Sequence, residues 1–125
     1  MHMKSLRILY VEDNDELRET FREMLEAEGR EIVACANGED ALVLWEKRAF
    51  DVILTDISLP GMSGTDLARR ILAKDPNKWI VLCSGYHYRQ GLATLGPNVR
   101  SLPKPFELDE LDALMCEITG VLHNV

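Results

Sequence analysis

The sequence predicts an α/β domain built on a parallel sheet with helices on both faces. Three observations predict it. Apolar runs of strand length alternate with helical patterns along the whole chain. The clearest run, Trp79–Cys83, is continuously apolar, as a strand buried on both faces requires. The 125 residues suffice for one self-sufficient core, folding at this size hiding roughly two-thirds of the unfolded chain's surface.

The strands read as Leu6–Val11, Glu31–Cys35, Val52–Thr55, Trp79–Cys83 and Val99–Leu102. Helical spacing separates them. Leu17, Phe21, Met24 and Leu25 mark the first helix, Ala41, Leu42, Trp45 and Ala49 the second, and Leu67, Ala68, Ile71 and Leu72 the third. After Tyr86, Gly91 and Gly96 bracket only a few residues before Pro97, which predicts a short or irregular fourth helix. Leu108, Leu111, Leu114, Met115, Ile118 and Leu122 define a firmer last helix, and for Leu108, Leu111 and Leu114 a core role is expected. No linker, internal repeat or low-complexity segment interrupts this order. Residues 1–5 are expected to be a disordered or cloning-derived start and residues 6–122 a single domain.

Composition narrows the function. No window approaches the ~20 apolar residues of a membrane-spanning helix, so no membrane insertion is expected. A net charge of −7 argues against non-specific binding to nucleic acid or anionic lipid. Cys35, Cys83 and Cys116 are far apart without a C-x-x-C pair, which favours free thiols in apolar patterns and a cytoplasmic location. His2, His87 and His123 lack metal-ligand spacing.

The stretch Asp51–Gly64, DVILTDISLPGMSG, drives a buried strand straight into an acid and then a Pro-Gly turn. In open parallel sheets ligands bind beyond the carboxyl ends of the strands. There the first strand is followed by Glu12-Asp13, the third by Asp56, the fourth by Ser84-Gly85 and the fifth by Lys104. Each has a simpler reading on its own. Asp13 or Asn14 suits a helix cap, Asp56 a turn residue, Ser84-Gly85 a strand exit, and Lys104 a solvated side chain. Together they make chemical sense with an added cation. Three converging carboxylates repel unless a divalent ion neutralises them, and Mg2+ takes such oxygen ligands beside a phosphoryl group. An Asp can then attack phosphorus and become an acyl phosphate.

These motifs, VEDN at 11–14, DVILTDISLPGMSG, SGY at 84–86 and LPKPF at 102–106, resemble those of the receiver domain of two-component response regulators over about Leu6 to Leu122. The resemblance implies a flavodoxin-like, doubly wound five-stranded sheet of order 2-1-3-4-5. It implies that Asp56 accepts a phosphoryl group from a histidine kinase or phosphotransfer protein. It further implies Mg2+ on Glu12, Asp13, Asp56 and the Ser58 backbone carbonyl, Ser84 and Lys104 binding phosphoryl oxygens, and Gly85 leaving the approach to Asp56 open. A cis Lys104-Pro105 peptide is also implied. The family is a signalling one, with intrinsic phosphotransfer and autodephosphorylation chemistry. Kinase activity would come only from a larger hybrid histidine kinase.

One position departs from the pattern. Where the family usually carries a switch aromatic, three residues before the lysine, this chain has Ser101. Tyr86 or Tyr88 is a candidate substitute. GPNVRSLPKPF, residues 96–106, resembles receivers of hybrid sensor kinases more than those ahead of DNA-binding domains. The face made by the fourth helix, fifth strand and last helix is the implied partner surface. Two alternatives stand: a receiver-fold docking module that does not switch by phosphate, suggested by Ser101, and a haloacid-dehalogenase-like phosphatase. The latter generally needs a second acid two residues after the nucleophile, where this chain has Ser58.

Overall fold

Successive strand residues point to opposite faces of a sheet, so a strand buried along its length must feed two cores. The computed structural model has that arrangement; it describes residues 6–26, 30–84, 95–104 and 106–123. Strands β1 (Arg7–Val11), β2 (Glu31–Cys35), β3 (Val52–Asp56), β4 (Trp79–Ser84) and β5 (Val99–Pro103) form one parallel sheet in the order β2-β1-β3-β4-β5. Among the described residues the helices are α1 (Asp15–Glu26), α2 (Gly38–Lys47), α3 (Gly64–Lys74) and α4 (Leu108–His123).

Leu9, Val11, Ile53, Ile80 and Leu82 pack on one face with Ala41 of α2 and Leu67 and Ile71 of α3. Ile8, Tyr10, Leu54 and Val81 pack on the other with Leu25 of α1 and Leu111, Met115 and Ile118 of α4. Each fully buried Leu or Ile contributes roughly 1.5–3 kcal/mol. Leu108 and Leu114 pack half-buried against the second core.

Local signals start the helices. Asn14 Oδ1 accepts from Leu17 N (2.9 Å), Asn37 Oδ1 from Asp40 N (2.8 Å) and Ser63 Oγ from Asp66 N (3.1 Å), each satisfying an amide that the helix leaves free. Helix α2 stops at Lys47 because Arg48 turns extended, so Ala49 lies outside it and is exposed. Strands β3, β4 and β5 each run one residue further than their apolar runs, because polar Asp56 and Ser84 and then Pro103 still pair in register with the neighbouring strand. Cys116 is exposed rather than core. The fourth-helix expectation, Gly85, Tyr86, Tyr88, the Lys104-Pro105 peptide and residues 1–5 lie outside the described residues.

Candidate functional site

Strand order reverses between β1 and β3, which lie side by side, and a crevice opens beyond their carboxyl ends. Hydrogen bonds between neighbouring strands hold each exit. Glu12 N donates to Cys35 O (3.1 Å), Ile57 N to Cys83 O (3.0 Å) and Lys104 N to Ser84 O (2.6 Å). The residues that matter therefore stand on fixed posts.

Glu12 is 3% exposed, and its two carboxylate oxygens are occupied differently. Oε2 accepts from Asn14 N (3.1 Å), while Oε1 takes Lys104 Nζ (3.2 Å). The same ammonium donates to Asp56 Oδ2 at 3.0 Å. Asp13 is exposed, and one carboxylate oxygen from each of Glu12, Asp13 and Asp56 lies within 4.8 Å of the others. The capping role falls to Asn14, which leaves the Asp13 carboxylate to this cluster. Asp56 engages Lys104.

Burial and neighbouring charge together set the titration of the group. Burial raises the Glu12 pKa above the usual carboxylate range, against the opposing Asn14 amide and Lys104. Burial pulls the Lys104 ammonium down, but its bonds and attraction to Asp56 and Glu12 outweigh that and leave its pKa raised. Beneath them burial pushes the Cys83 thiol up to about 12. Glu12 and Asp56 face one lysine and the Asp13 carboxylate lies beside them, an oxygen-rich hollow that suits a hard divalent cation such as Mg2+.

Ser84 ends β4 in register with Pro103, and its buried Oγ has no hydrogen-bond partner among the described residues. Ser58 lies exposed in the loop that follows Asp56, and Ser101 is exposed on β5. Gly61 adopts φ +74° in the turn after Pro60, a conformation that favours glycine.

Three contributors escape sequence reasoning. Arg18 of α1 reaches back to donate to the Glu12 carbonyl (2.8 Å) and to Asp15 Oδ1 (2.6 Å), fixing the loop that carries Asp13. Tyr10 forms part of the floor below Glu12 and Asp56. Gly64 N donates to Ile57 O (2.9 Å), and a Cβ on Gly64 would overlap the Asp56 carbonyl oxygen.

A five-stranded parallel sheet of this order, with an acidic pair, an aspartate and a lysine meeting at its switch point, defines a signalling receiver. Residues 8–115 match the response regulator receiver domain family, and the chain belongs to it. Virulence sensor protein BvgS of Bordetella pertussis is 45% identical over 71 residues, 57% of this chain and 6% of that protein. Response regulator receiver protein CpdR of Brucella abortus is 32% identical over 111 residues, 84% of this chain and 89% of CpdR. The chain thus spans a small part of BvgS and most of CpdR. Among solved structures, response regulator protein TrrA of Thermotoga maritima in complex with Mg2+-BeF superposes with a TM-score of 0.82 at 35% identity, covering 90% of this chain and 98% of that one. TrrA in complex with the histidine kinase ThkA gives 0.81 at 34% identity, covering 90% and 97%. No described helix is long and apolar enough to cross a membrane.

Proposed function

We propose that this receiver takes a phosphoryl group from a histidine kinase or histidine phosphotransfer protein onto Asp56, with Mg2+ bound, and passes the signal on. The observation that carries this is the position of the Asp56 carboxylate. It stands at the end of a buried strand, 3.0 Å from Lys104 and within 4.8 Å of the Glu12 and Asp13 carboxylates. The TrrA complexes with Mg2+-BeF and with a histidine kinase support the same reading.

Glu12, Asp13, Asp56 and the Ser58 carbonyl would hold Mg2+, which supplies charge neutralisation for the attacking carboxylate and the incoming phosphoryl oxygens. An Asp56 oxygen attacks phosphorus. The P–N bond to the donor imidazole breaks, and the leaving nitrogen keeps the electron pair and picks up a proton. Lys104 then exchanges its bond to Asp56 Oδ2 for one to a phosphoryl oxygen, and the Ser84 hydroxyl, without a partner among the described residues, donates to another. Ser84 gains a partner and Lys104 changes one only in the modified form, and such differential contacts are what shifts a population between two states. Arg18 and Gly64 act as positioning residues.

The likeness to BvgS, like residues 96–106, favours a receiver that serves a larger sensor kinase. The protein works in the cytoplasm, and its charge of −7 opposes direct nucleic-acid binding by this domain. A docking module that does not switch retains one supporting feature, the exposed Ser101. Family membership leaves no support for a haloacid-dehalogenase-like phosphatase. Incubation with Mg2+ and acetyl phosphate, followed by intact mass, tests the reading: an adduct of about 80 Da is expected for the wild type and none for Asp56→Asn. Full labelling of Asp56→Asn would assign the role to another acid. No adduct with acetyl phosphate or with a phosphorylated kinase would favour docking.

A further inference from the structure

The hollow around Asp56 continues, on the side of α1 and Phe106, into a cleft of about 450 Å³. That size falls within the range of small-molecule sites, about 300–1,000 Å³. Tyr10 and Cys83 form its sheet side, Leu17 and Phe21 come from α1, and Phe106 precedes α4. The Phe21 and Phe106 ring centroids are 5.3 Å apart with the planes tilted by 44°. The polar end is Glu12, Asp56 and Lys104, two carboxylates against one ammonium, with the Asp13 carboxylate close by.

We propose that this cleft binds a small amphipathic amine, its aromatic or branched apolar body against Phe21 and Phe106 and its ammonium on the Glu12 and Asp56 carboxylates. Apolar walls with a few convergent polar groups at one end fix both affinity and orientation. Without Mg2+ the sign of the charge selects the ligand: an anion meets net repulsion from three carboxylates against one ammonium, and a neutral analogue leaves the carboxylates' spare capacity unused. Amine and Mg2+ draw on the same oxygens, so each weakens the other reciprocally. Occupancy needs only the walls and the charge. It therefore stands or falls separately from phosphoryl transfer to Asp56.

Amide NMR titration of the intact chain with 2-phenylethylamine tests this, with 2-phenylethanol and 3-phenylpropionate as neutral and anionic counterparts. Saturable shifts are expected at Tyr10, Leu17, Phe21, Cys83 and Phe106, with the alcohol about tenfold weaker or worse, a difference of about 1.4 kcal/mol. Millimolar Mg2+ should raise the apparent Kd for the amine. Leu17→Trp, which fills the cleft, should abolish saturation, and Phe106→Ala should weaken it if Leu17→Trp does not fold. Absence of saturation by the amine at those amides, or equal affinity for the propionate, would overturn the proposal.

Discussion

At Glu12 a carboxylate sits almost out of water, and its cost is met by one backbone amide and one lysine. Its raised pKa has a definite sign. Between the ordinary carboxylate value and the raised one, the folded apo chain holds a proton that the unfolded chain has released, so Glu12 weakens the fold as pH rises through that window. If Glu12 holds Mg2+, the ion competes with that proton, so apparent Mg2+ affinity should fall as pH is lowered through the Glu12 titration. Calorimetric Mg2+ titration across a pH series checks it, and an affinity that does not change with pH would count against Glu12 as a ligand. Lys104, also raised, has the same sign of linkage in a higher pH window. Its ammonium supports the fold below the ordinary lysine value and loses that role as pH rises through its raised one. Lys104→Ala should leave Mg2+ binding largely in place yet uncouple phosphorylation from partner affinity, as pull-down with and without phosphodonor would report; intact coupling would count against the assignment. Asp56 and Lys104 were legible because a buried strand ending in an acid, and a lysine between prolines, contradict their surroundings. Arg18 and Tyr10 were not, because a helical arginine reads as solvated and a strand tyrosine as core.

Among the elements, the start of α3 bears most directly on the site. Ser63 caps it, and Gly64 lets its first turn approach the Asp56 carbonyl closely enough to bond Ile57 O. Gly64→Ala forces the strand exit and the helix apart, as overpacking a filled site does. It should cost about 1–3 kcal/mol and lower the phosphorylation rate. Thermal melting together with the acetyl phosphate reaction checks both effects, and a variant with wild-type stability would mean that α3 can shift freely. The strands and helices were readable from periodicity. Their ends were less so, since Asp56 and Ser84 are polar yet remain in the ladder, held by the neighbouring strand. The same rule misplaced Ala49, because the extended Arg48 that ends α2 carries no Gly or Pro signal.

For the molecule as a whole, two cores share one sheet, and α4 closes the second of them. Arg30 Nη1 reaches Asp112 Oδ1 at 2.9 Å, a partly buried pair that ties the start of β2 to α4 across 82 positions of sequence. Solvent screening limits such a pair to about 1 kcal/mol, so Asp112→Ala should lower stability by that order, and a cycle with Arg30→Ala should recover the coupling. Additive losses in that cycle would mean that the pair contributes nothing. No pattern in the sequence pairs these two residues, because the contact exists only once the fold brings α4 beside α1 and the sheet. The convergence of Glu12, Asp13, Asp56 and Lys104 depends on the same topology. It was legible only because strand ends in a parallel sheet share one edge. The most direct measurement is peptide mapping after reaction with acetyl phosphate, in Mg2+ and in EDTA. An increment of about 80 Da on the peptide containing Asp56, strong in Mg2+ and faint in EDTA, is the predicted result. The same increment on a peptide lacking Asp56, or equal labelling in EDTA, would contradict it.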